Sequence, residues 1–402
     1  MHRKPFAWAA FLSLTILLSG CDQAVPPQQG ASPSKQQTSQ NAASPKSENR
    51  VVAPQTKDTM VLEIPAPWSV AVLKTENGAL LAGLSHTDSY LQLWSMTAER
   101  EVTAIVKGNT GFHPDAVRWV DWDQDGAINE LLVTAEGEKK IEVWRYQGNT
   151  LQKINALPTE DPPQSLIIAD LDQDGRPDLI SGPYEGTRVT VLWQQSDLSV
   201  QTQFLAAGQD PTYPKVVDWN NDGLLDIVWS DWQSDSVRWA KNLGQREFKI
   251  DVLLTQTGSR PRETTVGDIN GDGYADLLIA LELGKSATIY YSDGKGQISG
   301  TESIPAQGNG YISGAVYRDS DNKETTLALA EWDAIVVARR SDGDGETWSY
   351  WRRATLGSMP QDLQFVDVDG DSQMDLIFAN SAGKQVEILF GSIIDNMDTL
   401  QF

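Results

Sequence analysis

Hydrophobic and polar positions along this chain follow a repeating order. A short apolar stretch leads into an acidic loop, and a second apolar stretch follows it. A third stretch alternates and ends in an aromatic residue, and a fourth is more polar. Ser165 to Ala169 and Lys215 to Val217 are first stretches, and Leu179 and Ile180 lie in a second. Trp94, Trp144, Trp193, Trp239, Tyr291 and Phe390 close the third. Apolar runs this short, bounded by Gly, Pro and Asp and lacking a 3.6-residue period, predict strands rather than helices. The acidic loops open at Asp121, Asp170, Asp218, Asp268 and Asp367, at spacings of 49, 48, 50 and 99 residues. The last interval is two periods. A decayed copy fills it at Tyr317 to Asn322, followed by the strand-like Thr326 to Ala330. Another copy without acids, Leu73 to Gly83, lies one period before the first loop. Seven units of four strands across residues 60–402 predict an all-β fold, a seven-bladed β-propeller of four-stranded blades. The last blade needs an outer strand, or two edges stay open. Met60 to Ile64 is better placed for this than Met397 to Phe402, because it directly precedes the first inner strand.

The loops read D-x-[DN]-x-D-G-x-x-D, which sets oxygens at positions 1, 3, 5 and 9 around one point. Six or more oxygens suit a calcium ion, and a glycine at position 6 permits the sharp turn. The expected ligands are Asp121, Asp123, Asp125 and Asn129; Asp170, Asp172, Asp174 and Asp178; Asp218, Asn220, Asp222 and Asp226; Asp268, Asn270, Asp272 and Asp276; and Asp367, Asp369, Asp371 and Asp375. Loop 367–375 has Ser372 in place of the turn glycine, so its site is the weakest of the five. An EF-hand would need a Glu at position 12, where Leu132, Ser181, Trp229, Ile279 and Phe378 stand instead. Clustered carboxylates repel unless a cation sits among them. The expectation is therefore four or five structural Ca2+ ions, with no open coordination position for catalysis. The chain's net charge of −23, from 32 basic and 55 acidic residues, fits cation binding and argues against a nucleic-acid partner.

The units resemble the FG-GAP/VCBS repeat family of integrin-type propellers and bacterial surface proteins. Beyond the acidic loops, the turns Asn242 to Phe248 (NLGQREF) and Asp293 to Gly296 (DGKG) match that family's glycine-rich turn. The resemblance covers the whole repeat region and implies the propeller fold. It leaves function open, since the family includes adhesins, lectins, lyase scaffolds and structural modules.

The N-terminus reads as a processing segment. His2, Arg3 and Lys4 precede an apolar run from Phe6 to Leu18, which is short for a membrane span and ends in small residues. Leu18-Ser19-Gly20-Cys21 resembles the lipobox of bacterial lipoproteins, in which the cysteine is lipidated and becomes the new N-terminus. Cys21 is the only cysteine, so no disulfide can form within the chain. This divides the chain into a signal peptide (1–20), a Gln-, Ser- and Pro-rich disordered tether (21–58) and the propeller (59–402). The expected location is the cell envelope. Asp22 implies retention at the periplasmic face of the inner membrane where the enterobacterial rule applies, and otherwise the outer membrane or surface is expected.

In a propeller the loops joining first to second strands share one face. The loops joining second to third strands, and blade to blade, share the other. The acidic loops occupy the first face, so a ligand is expected on the second. Its blade-to-blade segments carry His113, Asp115, Tyr213, Arg260, Arg262 and Tyr311, and its second-to-third loops carry His86, Tyr184, Glu185, Trp232, Glu282 and Trp332. Aromatics among charged groups suit a glycan or a protein partner. The function expected is a calcium-binding envelope lipoprotein, monomeric and touching the membrane only through its lipid, that acts as a ligand-binding or scaffolding module. The alternative is a propeller lyase or hydrolase using His86 and His113. No nucleophile elbow, phosphate loop or zinc motif supports an enzyme.

Overall fold

The structure is a computed structural model. It describes residues 58–306, 308, 310–319, 321, 323–342, 347–355 and 359–391. Cys21, the signal segment, most of the tether and the alternative closing strand at 397–402 lie outside these residues.

Seven four-stranded antiparallel sheets follow one another along the chain. Blades 1 to 6 span 67–109, 117–158, 167–206, 211–255, 261–305 and 311–354. Blade 7 takes its first three strands from Pro360–Val366, Asp375–Asn380 and Gln385–Leu389. Its outer strand is Thr59–Glu63, paired antiparallel with Gln385–Leu389 so that Met60 faces Ile388 and Leu62 faces Val386. The N-terminal side of the described chain therefore closes the ring, as the position of Met60 to Ile64 predicts.

Burial along each blade explains the four grades of polarity in the repeat. Second strands such as Asp226–Asp231 and Asp276–Leu281 are buried at every residue, because both sheet faces are covered by neighbouring blades. Outer strands such as Val102–Asn109 and Thr150–Pro158 are largely exposed and carry Thr, Lys, Gln and Asn, which discourages edge pairing. Apolar side chains collect in seven clusters, and each draws on two adjacent blades. The third-strand aromatics work in these seams: Trp94 between blades 7 and 1, Trp144 between 1 and 2, Trp239 between 4 and 5.

The decayed units differ in a simple way. In blades 1 and 6 the first strand runs nine residues, Pro67–Thr75 and Tyr311–Asp319, straight into a tight hairpin. In the acidic blades the ladder stops at the first strand's end, and the loop bridges to an Asp or Glu that opens the second strand. At the opposite end, register shifts between Thr212 and Lys215, Pro261 and Glu263, and Gln361 and Gln364 turn inner-strand side chains toward the axis. Tyr213 and Asp362 sit in such bulges with φ of 42° and 52°.

Closure places Met60, Leu62 and Ile64 at no more than 1 % exposure in the seam with blade 1. Leu62→Ala should therefore cost about 2–5 kcal/mol of stability, whereas truncating the half-buried Val61 of the same strand should cost under about 1.5 kcal/mol. Urea unfolding checks both, and equal small losses would show that the seam is not closed by this strand.

Candidate functional site

On the acidic face, each loop is wound around its first aspartate. Asp121, Asp170 and Asp218 accept the N–H of position 5 at 3.0–3.1 Å and that of the turn glycine at 2.9–3.0 Å, and Asp268 accepts Gly273 N–H at 3.0 Å. These glycines have φ of 84–92°, and this positive φ is why the position needs glycine. Carboxylate oxygens of Asp121, Asp123 and Asp125 lie within 4.8 Å of one another, as do those of Asp170, Asp172 and Asp178 and those of Asp367, Asp369 and Asp371. Asp172 Oδ1 and Asn129 Oδ1 are buried with no hydrogen-bond partner. Two unpaired acceptors among convergent carboxylates are the donor set that a hard cation completes.

Position 9 has a second duty. Asp178 accepts Leu171 N–H at 3.1 Å and Gln194 N–H at 3.0 Å, which pins the loop to the end of the third strand. Asp226, Asp276 and Asp375 repeat the clamp in their blades. Burial pushes Asp178, Asp226 and Asp276 up to about 6 and Asp375 up to about 7. In blade 2 the clamp is Glu130, one residue beyond Asn129, which accepts Trp122 N–H at 3.1 Å and is also bonded by Arg145 at 2.8 Å. Loop 367–375 departs further. Ser372 does take a φ of 72°, and side chains of blade 1 pair with all three clustered acids: Lys74 with Asp367 at 2.8 Å, Arg100 with Asp369 at 2.6 Å and with Asp371 at 3.4 Å.

On the opposite face, the second-to-third loops of blades 1 to 5 are each bonded to the segment entering their inner strand. The N–H groups of His86, Glu136, Tyr184, Trp232 and Glu282 donate to the carbonyls of Ala66, His113, Pro162, Asp210 and Arg260 at 2.9–3.2 Å. This common bond brings most of the predicted ligand residues onto one surface. Phe112, His113, His86 and Trp68 stack in sequence, with ring centroids 3.8, 4.4 and 4.7 Å apart. Trp68 and Trp332 pack on the same cluster between blades 6 and 7. Arg262 lies 5.7 Å over Trp332 and 3.5 Å from Glu282, Glu282 accepts Trp232 Nε1–H at 2.7 Å, and Arg260 lies 4.3 Å over Trp232. The result is an arc of rings and guanidinium groups around the mouth of the axis. Tyr184 is exposed on this face and makes no ring contact with the arc. Tyr311 is placed otherwise. It is fully buried and its hydroxyl donates to Pro305 O at 3.0 Å, so it is a core residue and offers nothing to a ligand.

The axis itself holds a cavity of about 50 Å3 lined by Trp68, Asp115, Arg118, Tyr213, Arg262 and Asp362, among others. That admits a few water molecules and no sugar ring. Burial disfavours a charge on Asp362, but Arg118 at 3.0 Å, the Ser69 hydroxyl and Val70 N–H hold its carboxyl below the usual range. Burial raises Tyr213 to about 12, opposed by Arg262. At the rim, His86 Nδ1 lies 3.1 Å from Asp115 and 3.4 Å from Pro114 O. Asp115 in turn faces Glu136. Two carboxyl groups bond only by sharing a proton, and burial raises Asp115 to about 8 and Glu136 to about 7. Burial also lowers both histidines, so each ring gives up its proton below the usual imidazole range. Trp68, Phe112, Glu136 and Glu130 all escape a motif-based reading. Phe112 adjoins the predicted His113, Trp68 carries no such signal, and Glu130 is visible only as the acid following a non-acidic position 9.

The shared proton has a sign that can be measured. Between about pH 4 and 8 the folded chain holds protons on Asp115 and Glu136 that the unfolded chain has lost, so their contribution to stability falls as pH rises through that window. Glu136→Gln should flatten this part of the melting-temperature profile and leave the variant the more stable form at pH 8. Parallel profiles for the two proteins would show that no proton is shared.

Residues 121–181, 170–229 and 218–279 match the FG-GAP-like repeat, so three overlapping copies run from blade 2 into blade 5. No curated protein matches the sequence. Among solved structures, BBS1N in complex with ARL6DN is similar at 13 % identity over 82 % of this chain and 96 % of its own, with a TM-score of 0.58. A putative 6-phosphogluconolactonase from Bacteroides uniformis is similar at 14 % identity, covering 76 % and 90 %, with a TM-score of 0.55. A protein from Lactobacillus plantarum is similar at 15 % identity, covering 83 % and 99 %, with a TM-score of 0.53. At such identities the likeness is one of fold. The seven closed sheets and the repeat match together make this chain a seven-bladed β-propeller that carries FG-GAP-like repeats across residues 121–279.

Proposed function

We propose that this chain is a protein-binding scaffold of the bacterial envelope, anchored by lipid on Cys21, and that its partner docks on the face bearing the arc. The observation that carries this is the arc's composition and shape. Trp, His and Arg spread over a shallow surface are the residues that dominate protein interfaces. Phe112 at 54 % exposure and Leu283 at 65 % add apolar contacts at its edges. The axial cavity is too small for a sugar ring, which favours a partner lying across the mouth. BBS1N, whose fold this chain shares, is seen with the protein ARL6DN. Binding is favoured over turnover because Trp68 and His113 cover the two sides of His86.

The acidic face serves stability in this proposal. Loops 121–129, 170–178, 218–226 and 268–276 hold Ca2+, with Asp121, Asp123 and Asp125, or their counterparts, as carboxylate ligands. Loop 367–375, where Ser372 replaces the turn glycine and Lys74 and Arg100 pair with the acids, is the weakest of the five sites. Calcium bound only by the folded state adds to its stability by mass action.

Two measurements test these statements. A photo-crosslinking residue at Phe112 or Leu283 should give an adduct of defined mass in intact cells, and one at Ile128 on the acidic face should not; adducts from all three alike, or from none, would overturn the docking face. In calcium, Asp172→Ala should lose most of the stabilisation the ion provides, and in EGTA it should still lose about 1–3 kcal/mol, because Asp172 also accepts Arg246 Nε–H at 2.7 Å. Asp178→Ala should cost about 1–3 kcal/mol even in EGTA, because its backbone clamp is lost. A parent melting curve that EGTA leaves unchanged would remove calcium from the account.

A further inference from the structure

One cation in the arc has no counter-charge. Every other arginine among the described residues has a carboxylate oxygen within 4.0 Å. Arg260 has none, and it is exposed in a chain of net charge −23. An exposed arginine is usually a loose side chain on an ordinary backbone, but Arg260 is held. Its φ is 55°, a conformation that a side chain of this size adopts only where its surroundings impose it. Asp235 imposes it, accepting the Thr257 hydroxyl at 2.5 Å, Gly258 N–H at 2.9 Å and Arg260 N–H at 3.1 Å. Glu282 N–H closes the other side on Arg260 O at 3.2 Å.

The guanidinium carbon then lies 4.3 Å over the ring of Trp232, which is itself fixed by Nε1–H donation to Glu282. Glu282 is the neighbouring acid, and its two oxygens are committed to Trp232 and Arg262. A guanidinium held over a ring with no carboxylate beside it keeps N–H donors for an incoming anion, and its planar fork matches a carboxylate with two parallel bonds. Because backbone and ring are already ordered, little entropy is lost when the anion arrives.

We infer that Arg260, laid on Trp232, is a preorganised anion receptor that recognises an Asp or Glu side chain of the protein partner. This rests on the protein-docking reading of the face and specifies the chemistry that the partner must present there.

The test is selection of random peptides displayed on phage against the full chain in detergent, alongside a glycan array. The expected result is peptides enriched in Asp or Glu whose affinity falls about tenfold or more in Arg260→Gln and weakens with added salt. Arg260→Lys, which keeps the charge but loses the planar fork, should restore only part of it. Arg260 makes no core contact, so the Arg260→Gln melting temperature should equal the parent's, and that equality shows any loss of binding to be local. Peptides without acidic enrichment, or with equal affinity for Arg260→Gln, would overturn the receptor and leave the docking face standing. Glycan binding with no peptide selected would overturn both.

Discussion

Everything in this molecule depends on apolar burial between blades. No sheet has a core of its own. Second strands are apolar on both faces, and each face is covered only because another blade lies against it. Seven clusters in seven seams leave no place where the ring can be opened without exposing two of these surfaces. Closure by Thr59–Glu63 therefore does more than complete one sheet. It buries Met60, Leu62 and Ile64 against blade 1 and removes the edge at which a linear array would fray.

The seam between blades 7 and 1 is also where polar groups act as fasteners. Asp362 of blade 7 takes bonds from Ser69 and Val70 of blade 1 and from Arg118 of blade 2. Gln364 Nε2 donates to Val70 O at 2.7 Å, and Lys74 and Arg100 reach the acids of loop 367–375. This seam joins the two ends of the repeat region, and side chains fasten other seams as well, as Lys215 does to Glu263 and Arg246 to Asp172. The acid loop at this seam has become part of the fastening.

The two faces follow from the same geometry. Loops between first and second strands are bound inward by their own aspartates, so that face is built of local turns. Loops on the other face are tied to the inner-strand entry of their own blade by a backbone bond in blades 1 to 5, which leaves their side chains to meet across blade boundaries. That is why Phe112, His113, His86 and Trp68, drawn from two blades, form one stack. It is also why Arg260 and Arg262 of blade 5 rest on tryptophans of blades 4 and 6.

The sequence by itself determined the number of blades, the strand order within each, the decayed units at 73 and 317, and the strand that closes the ring. These depend on short apolar runs bounded by turn residues and on a repeat of about 49 residues, both of which are local and recur. It also determined where the acidic loops lie, because their spacing is written within nine residues. Tertiary structure alone decided what the side chains do once blades meet. That Tyr311 is core while Arg260 is unpaired, that Glu130 takes the clamp that Asn129 cannot, and that Lys74 and Arg100 pair with the acids of loop 367–375 rest on burial, on contacts between residues nearly 300 positions apart or on the shift of a single register position. Charge pairing and burial act through space, and a linear pattern carries no distance between blades.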